Sequence, residues 1–238
     1  MRLLLTSAGV ANDSIRTALV DLLGKPVEES TAVQVLTAIY ASPGGVAEAW
    51  EMAEHFGGLG WKALGILEPT ALPSLDDEHW VPALEAADAI LVGGGNTGYL
   101  SFWFHQSGLA ARLPSLLDNL VYVGVSAGSL MATPGLNYDR ERFEATGVYY
   151  DDEYDEAAPL HAGDHRALGL VDFHLRPHLN ADYFPDMTLE AMQRAAGKVD
   201  RPLYAIDDQT AIKVVDGAID VVSEGEWSLF NAAPAVDR

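Results

Sequence analysis

The stretch Tyr122-Val-Gly-Val-Ser-Ala-Gly-Ser129 decides how the rest of the chain is read. Its first half is apolar and β-prone, as a strand buried on both faces of a parallel sheet is. Its second half, Gly124-Val-Ser-Ala-Gly128, sets small residues around a serine where a strand gives way to a helical pattern. This fits the G-x-S-x-G nucleophile elbow, a tight strand-to-helix turn that pushes the serine hydroxyl outward. A plain βα turn with small residues is the other reading of the pentapeptide, and the strand before it favours catalysis. The N–H of Ala127, at the start of the helix, then faces a developing oxyanion.

Four more short apolar runs precede the elbow, at Arg2–Thr6, Val33–Ile39, Lys62–Leu67 and Ala89–Val92. Helical patterns separate them at Asp13–Leu23, Val46–Phe56, Asp76–Ala86, Asn96–His105 and Gly108–Leu120. This alternation predicts a doubly wound, mostly parallel sheet. Beyond Ser129 the rhythm changes. Residues 133–166 read as an acidic loop, with five carboxylates in the eight residues Tyr149–Glu156. A solvated loop is the plain reading of that run, and a lid that selects short or basic peptides is the sharper one. Leu168–Leu175 then reads as a strand, Met187–Ala196 as a helix and Leu203–Ile206 as a strand. Thr210–Val215 and Ala218–Ser223 flank Asp216-Gly217, which predicts a C-terminal β-hairpin. With no repeat, linker or low-complexity tract, a single α/β domain over 1–238 with an acidic insertion around 149–166 is expected.

Composition narrows the function classes. Of 238 residues, 49% are hydrophobic and 21% charged, enough apolar material for a packed core. The 35 Asp and Glu against 14 Lys and Arg give a net charge of −21, which argues against nucleic acid and anionic membranes as partners. Cysteine is absent, which removes disulfides, thiolate metal sites and cysteine nucleophiles. The opening Met1–Gly9 has an apolar run of only three leucines, against the roughly 7–15 residues of a signal sequence. No stretch approaches the ~18 apolar residues of a membrane span, so a soluble cytoplasmic protein is expected.

A second glycine cluster, Ile90-Leu-Val-Gly-Gly-Gly-Asn-Thr97, ends the preceding strand. It lacks the Gly-Lys-Ser/Thr of a Walker loop, and although Gly93, Gly95 and Gly98 have the G-x-G-x-x-G spacing, no acidic residue stands on a strand end ~20 positions on, as a dinucleotide site needs. Both glycine clusters fall at C-terminal strand ends, where open α/β sheets build their sites. An oxyanion hole shared with Ala127 is the functional reading, and a tight turn the structural one. Among the seven histidines, His55, His79 and His105 precede the elbow in helical or loop stretches and suit packing or surface roles. His161 and His165 with Asp164 suit a solvated loop better than a metal site. His174 and His178, flanking Leu-Arg-Pro after an apolar run, are the candidate bases. Phe102, Trp103 and Phe104 suit core packing as well as a substrate pocket.

Together, Val92-Gly-Gly-Gly-Asn-Thr97, Gly124-Val-Ser-Ala-Gly128 and Arg176-Pro-His178 resemble peptidase E, the aspartyl dipeptidase group of serine peptidases. Cyanophycinase is similar at the elbow but more distant. The segment Ala205-Ile-Asp-Asp-Gln-Thr-Ala-Ile-Lys213 and its hairpin also resemble the family's C-terminal pattern. The resemblance implies a three-layer α/β sandwich akin to class I glutamine amidotransferase domains, with a Ser–His–acid triad. Carried over by motif, Ser126 is the nucleophile and His178 the general base. Gly94, Gly95 and Ala127 are the oxyanion donors, and Asn96 and Thr97 contact substrate. Counting on from Ser126 without gaps, the acid is Glu141, with Asp139 as the alternative two residues earlier.

The substrate-binding Arg that the resemblance implies falls at Leu189, which leaves Arg176 and Arg194 as its replacements. The expected function is a serine exopeptidase acting on dipeptides or short peptides. An esterase with the same triad and a catalytically silent small-ligand domain are the alternatives. The expected partner is a small peptide, no metal or organic cofactor is required, and a homodimer is compatible with the reading.

Overall fold

Leu3, Leu4 and Leu5 show how the main sheet is built. In β1 (Arg2–Thr6) all three are fully buried, Leu3 and Leu5 against one layer and Leu4 against the other. The same division runs through β2 (Thr31–Val35), β4 (Ala89–Val92) and β5 (Val121–Val125). Val33, Val35, Ile90, Val92 and Tyr122 face one way, and Ala32, Ala89, Leu91, Val121 and Val123 the other. A strand apolar at every position is stable only when both faces are covered. With the edge strand β3 (Ala63–Ile66), these five strands run parallel. The hairpin of β10 (Thr210–Val215) and β11 (Ala218–Ser223) adds antiparallel to β1, giving the order β11-β10-β1-β5-β4-β2-β3. Its two-residue turn has Asp216 at φ 48° and Gly217 at φ 86°, as a tight right-twisting hairpin requires.

The computed structural model describes residues 1–42, 44–135, 148–151, 156–159, 166–197 and 199–232. Helices α1 (Asp13–Leu23) and α2 (Gly45–Gly57) cover the Leu4 face through Ile15, Leu19, Leu22, Ala49 and Phe56. The opposite face packs under α3 (Val81–Glu85), α4 (Thr97–Gln106), α5 (Leu109–Leu116) and the short α6 (Ala127–Leu130). This is the three-layer α/β sandwich expected. No helix among the described residues is long and apolar enough to cross a membrane.

A smaller sheet pairs β8 (His174–Arg176) in parallel with β9 (Leu203–Ile206), and β9 antiparallel with β12 (Trp227–Phe230). Helix α7 (Leu189–Ala196), capped by the Thr188 hydroxyl, packs Met192 and Ala196 against Leu203 and Ala205. Within the acidic region, β6 (Val148–Asp151) and β7 (Glu156–Pro159) form a hairpin in backbone outline.

Three expected elements differ. The strand expected at Val33–Ile39 stops at Val35, because the chain turns into a 3₁₀ turn at Ile39–Ala41 and the Ala38 carbonyl accepts from the Asn96 N–H at 2.9 Å. The strand expected at Leu168–Leu175 shrinks to β8: the N–H groups of Leu168, Gly169 and Leu170 bond instead to the carbonyls of Met131, Thr133 and Ala132. The helix expected at Asp76–Ala86 is a 3₁₀ turn at Asp77–His79 followed by α3.

Candidate active site

The elbow is built by steric exclusion. A side chain at Gly124 would put its Cβ 2.6 Å from the Ser129 backbone nitrogen, and one at Gly128 would lie 2.0 Å from the Val92 carbonyl oxygen. With both positions empty, β5 turns directly into α6 and Ser126 takes φ 49°, ψ −111°, outside the ordinary wells of an L-residue. Such strain persists only where the surroundings overdetermine it. Here the Ser126 N–H donates to the Thr6 carbonyl at 3.1 Å, the Ser129 hydroxyl donates to the same oxygen at 2.7 Å, and the buried Tyr122 hydroxyl donates to the Gly128 carbonyl at 2.6 Å.

The Ser126 hydroxyl meets His178, whose Nε2 lies 2.9 Å from Oγ. His178 follows β8 by two residues and also has a left-handed backbone, φ 61°. Asp208 stands two residues beyond β9, and parallel pairing of β8 with β9 sets the two side chains together: His178 Nδ1 lies 2.8 Å from Asp208 Oδ1. A carboxylate can only accept, so Nδ1 carries the proton and Nε2 is left to accept from Ser126. Ser126, His178 and Asp208 thus form a continuous hydrogen-bonded Ser–His–Asp line.

Two hydroxyls fix the acid. Ser7, the residue after β1, donates to Asp208 Oδ1 at 2.6 Å and accepts from the His178 backbone N–H at 2.8 Å. The Tyr183 hydroxyl donates to Asp208 Oδ2 and lies 2.9 Å from His178 Nδ1. Burial alone raises the Asp208 carboxyl. The hydrogen bonds from His178, Ser7 and Tyr183 outweigh it and bring the group down to about 2, so it is ionised at any working pH. The adjacent Asp207 has a different task. Its carboxylate accepts from the Gln209 and Glu226 N–H groups and the Thr210 hydroxyl, which holds the turn that aims Asp208.

The glycine corner after β4 faces Ser126. Gly93 and Asn96 spend their N–H groups on the Val35 and Ala38 carbonyls, each at 2.9 Å. Those of Gly94 and Gly95 have no acceptor among the described residues. Gly95 sits at φ 126°, and a Cβ there would lie 2.4 Å from the Ala38 carbonyl carbon, so only glycine fits. Gly94, Gly95, Ser126 and His178 share a cavity of about 820 Å³, further lined by Ile39, Met52, Phe184 and Met187, within the size range of small-ligand sites.

The structure therefore brings together Ser126, His178, Gly94 and Gly95, with Ala127 buried directly behind the serine. It sets four expected substrate contacts elsewhere. Asn96 is buried and caps α4, its side-chain oxygen accepting from the Tyr99 N–H at 2.8 Å. Thr97, in the first turn of α4, and Arg176, on β8, are buried outside the cavity lining. Arg194 is exposed on α7 and pairs with Glu190 one turn away. Leu189 is half-exposed and faces a different pocket, beside Trp227.

Glu141 and Asp139 lie outside the described residues, as do His161, Asp164 and His165, and the carboxylate found on His178 is Asp208. The alternative base His174 lies at the other end of β8, where burial and the neighbouring Arg176 charge lower its pKa. Of the upstream histidines, His55 is a packing residue whose Nε2 accepts from the Val10 N–H at 3.2 Å. Asp76, Glu78 and His79 form an exposed cluster of metal-ligand type outside the cavity lining.

Asp208, Ser7 and Tyr183 escaped the sequence reading. A signal for the first existed: an Asp-Asp pair directly follows the four-residue apolar run Leu203–Ile206, at a strand end.

The fold is α/β, with Ser126 in a tight strand-to-helix turn facing His178. Residues 3–222 match peptidase family S51. The chain belongs to peptidase family S51, a family of serine peptidases. It is 31% identical over 130 residues to an uncharacterized peptidase, Lmo0363, of Listeria monocytogenes, covering 54% of this chain and 57% of that protein. It is 31% identical over 96 residues to peptidase E of Streptomyces coelicolor, covering 40% of this chain and 33% of that protein. The chain thus spans between a third and somewhat over half the length of these relatives. A solved structure of a candidate peptidase E from Listeria monocytogenes EGD-e superposes with a TM-score of 0.64 at 21% identity, covering 94% of this chain and 98% of that one. A peptidase from an acI-B1 Actinobacterium superposes with 0.63 at 17% identity, covering 98% and 91%.

Proposed function

We propose that the protein hydrolyses dipeptides or short peptides by acyl transfer to Ser126. The observation that carries this reading is the continuous hydrogen-bonded line Ser126 Oγ–His178 Nε2 at 2.9 Å and His178 Nδ1–Asp208 Oδ1 at 2.8 Å, opening into one cavity. As Oγ attacks the scissile carbonyl carbon, His178 Nε2 takes its proton. Asp208 holds the ring in the Nδ1–H tautomer and stabilises the imidazolium that forms. The carbonyl oxygen becomes an oxyanion, for which the uncommitted N–H groups of Gly94 and Gly95 and the N–H of Ala127 are the donors. On collapse, the C–N bond breaks and His178 returns its proton to the leaving amine. Water then attacks the acyl-enzyme with His178 again as base, releasing the acid and restoring Ser126.

The test is hydrolysis of a dipeptide library by the wild type and Ser126→Ala. Serine-dependent cleavage is the expected result. Ester turnover without peptide turnover would move the reading to an acyl hydrolase, and inertness toward both would leave a binding domain.

A further inference from the structure

The lining of the cavity carries charge of one sign. Glu48 and Glu51 stand one turn apart on α2, and Asp186 stands in the segment that follows His178. Among the described residues lining the cavity there is no Lys or Arg. The two walls are fixed in place relative to Ser126. On the α2 side, Met52 follows Glu51 and reaches the glycine corner, where its side chain would lie 3.3 Å from a Cβ added to Gly93 and 3.7 Å from one added to Gly94. On the other side, the Asn180 N–H donates to the Met187 carbonyl at 2.8 Å and the Met187 N–H to the Phe184 carbonyl at 3.0 Å, closing the turn that bears Asp186.

A local explanation covers part of this. Glu48 lies in the first turn of α2, where a carboxylate favours the helix. That reason does not reach Glu51, deeper in the helix, or Asp186, which is in no helix. None of the three is in an ion pair among the described residues, so their charge is exposed to whatever occupies the cavity. An entering carboxylate side chain meets like charge from both walls, and an entering ammonium or guanidinium meets opposite charge. The resemblance to aspartyl dipeptidases implied the reverse preference, served by an Arg; here that position is Leu189, outside this cavity.

Resting on the peptidase reading above, we infer that the site selects peptides with a Lys or Arg side chain beside the scissile bond and disfavours those with Asp or Glu there, through Glu48, Glu51 and Asp186. Each exposed charge pair contributes modestly, so three acting together amount to a preference on the order of tenfold in kcat/KM.

The experiment uses the full chain and measures kcat/KM for Lys-Ala, Ala-Lys, Ala-Ala, Asp-Ala and Ala-Asp at low and at high salt. The same measurements are made on the triple variant Glu48→Gln, Glu51→Gln, Asp186→Asn. The expected result is that the better lysyl dipeptide exceeds its aspartyl counterpart on the order of tenfold, and that both salt and the variant shrink this ratio toward one. An aspartyl dipeptide cleaved as fast as the lysyl one, or a ratio the variant leaves unmoved, would overturn the inference. Ser126-dependent turnover of the uncharged Ala-Ala keeps the peptidase reading standing in either case. Absence of turnover of all five overturns both readings together.

Discussion

The large sheet and the small sheet each deliver one end of the same hydrogen-bonded line, and they do so differently. Ser126 is placed by its own pentapeptide: Gly124 and Gly128 make room, and the turn follows within a few residues. Asp208 is placed by pairing at a distance. It meets His178 across 30 residues because β8 and β9 run parallel, and it meets Ser7 across 201 residues because β10 lies beside β1. The serine end is thus set locally, whereas the Asp208 end depends on the register of two sheets. Mutations should separate the two ends by what they damage.

The largest effect is expected at Ser126→Ala, which removes the nucleophile and lowers kcat/KM on the order of 10⁴–10⁶-fold with the fold intact. Steady-state peptide hydrolysis alongside thermal unfolding reads both. Asp208→Asn comes next, with kcat falling on the order of 10³–10⁴-fold, because an amide no longer enforces the Nδ1–H tautomer. A loss below tenfold there would break the assignment of the acid end.

The glycines of the elbow should fail through stability instead. Gly128→Ala forces a Cβ onto the Val92 carbonyl and should cost about 3 kcal/mol or more, measured as a shift in the urea midpoint. Gly57→Ala, with open space at the end of α2, should leave that midpoint unchanged or raise it slightly. Ser7→Ala should lower kcat roughly tenfold with little change in KM, since the hydroxyl positions Asp208 and the His178 backbone without lining up on the reacting bond.

The smallest effect concerns pH. Asp208 is depressed from 3.8 to about 2 in the folded protein, so its stabilising share is fully present above 3.8 and is lost as pH falls through about 2. With the carboxylate partly exposed, that share is about 1 kcal/mol. The difference in unfolding free energy between wild type and Asp208→Asn should therefore narrow by about that much between pH 5 and pH 2, whereas the same titration on Asp208-containing Ser126→Ala should follow the wild type.

These differences also explain what could be read beforehand. The parallel strands β1, β4 and β5 were legible because burial on both faces leaves an unbroken apolar run, as at Leu3–Leu5 and Ile90–Val92. Ser126 and the glycine corner were legible because their requirements are local. Asp208 was not, since nothing near it in sequence reports that β9 lies beside β8. Counting forward from Ser126 led to Glu141 and Asp139, which lie outside the described residues. Asn96 was assigned to substrate through the resemblance alone; its side chain caps α4. The strand expected at Leu168–Leu175 failed for a related reason, since an apolar run cannot say whether its N–H groups will bond to a strand or to the loop after α6.

The central claim is that Ser126, His178 and Asp208 act as one unit. It is tested most directly by the rate at which an organophosphonate labels Ser126, followed by peptide mapping, in the wild type, Asp208→Asn and Glu141→Gln. The account predicts a single adduct on Ser126, formed far more slowly in Asp208→Asn and at the wild-type rate in Glu141→Gln. Labelling that ignores Asp208 and depends on Glu141, or an adduct on another serine, would contradict it.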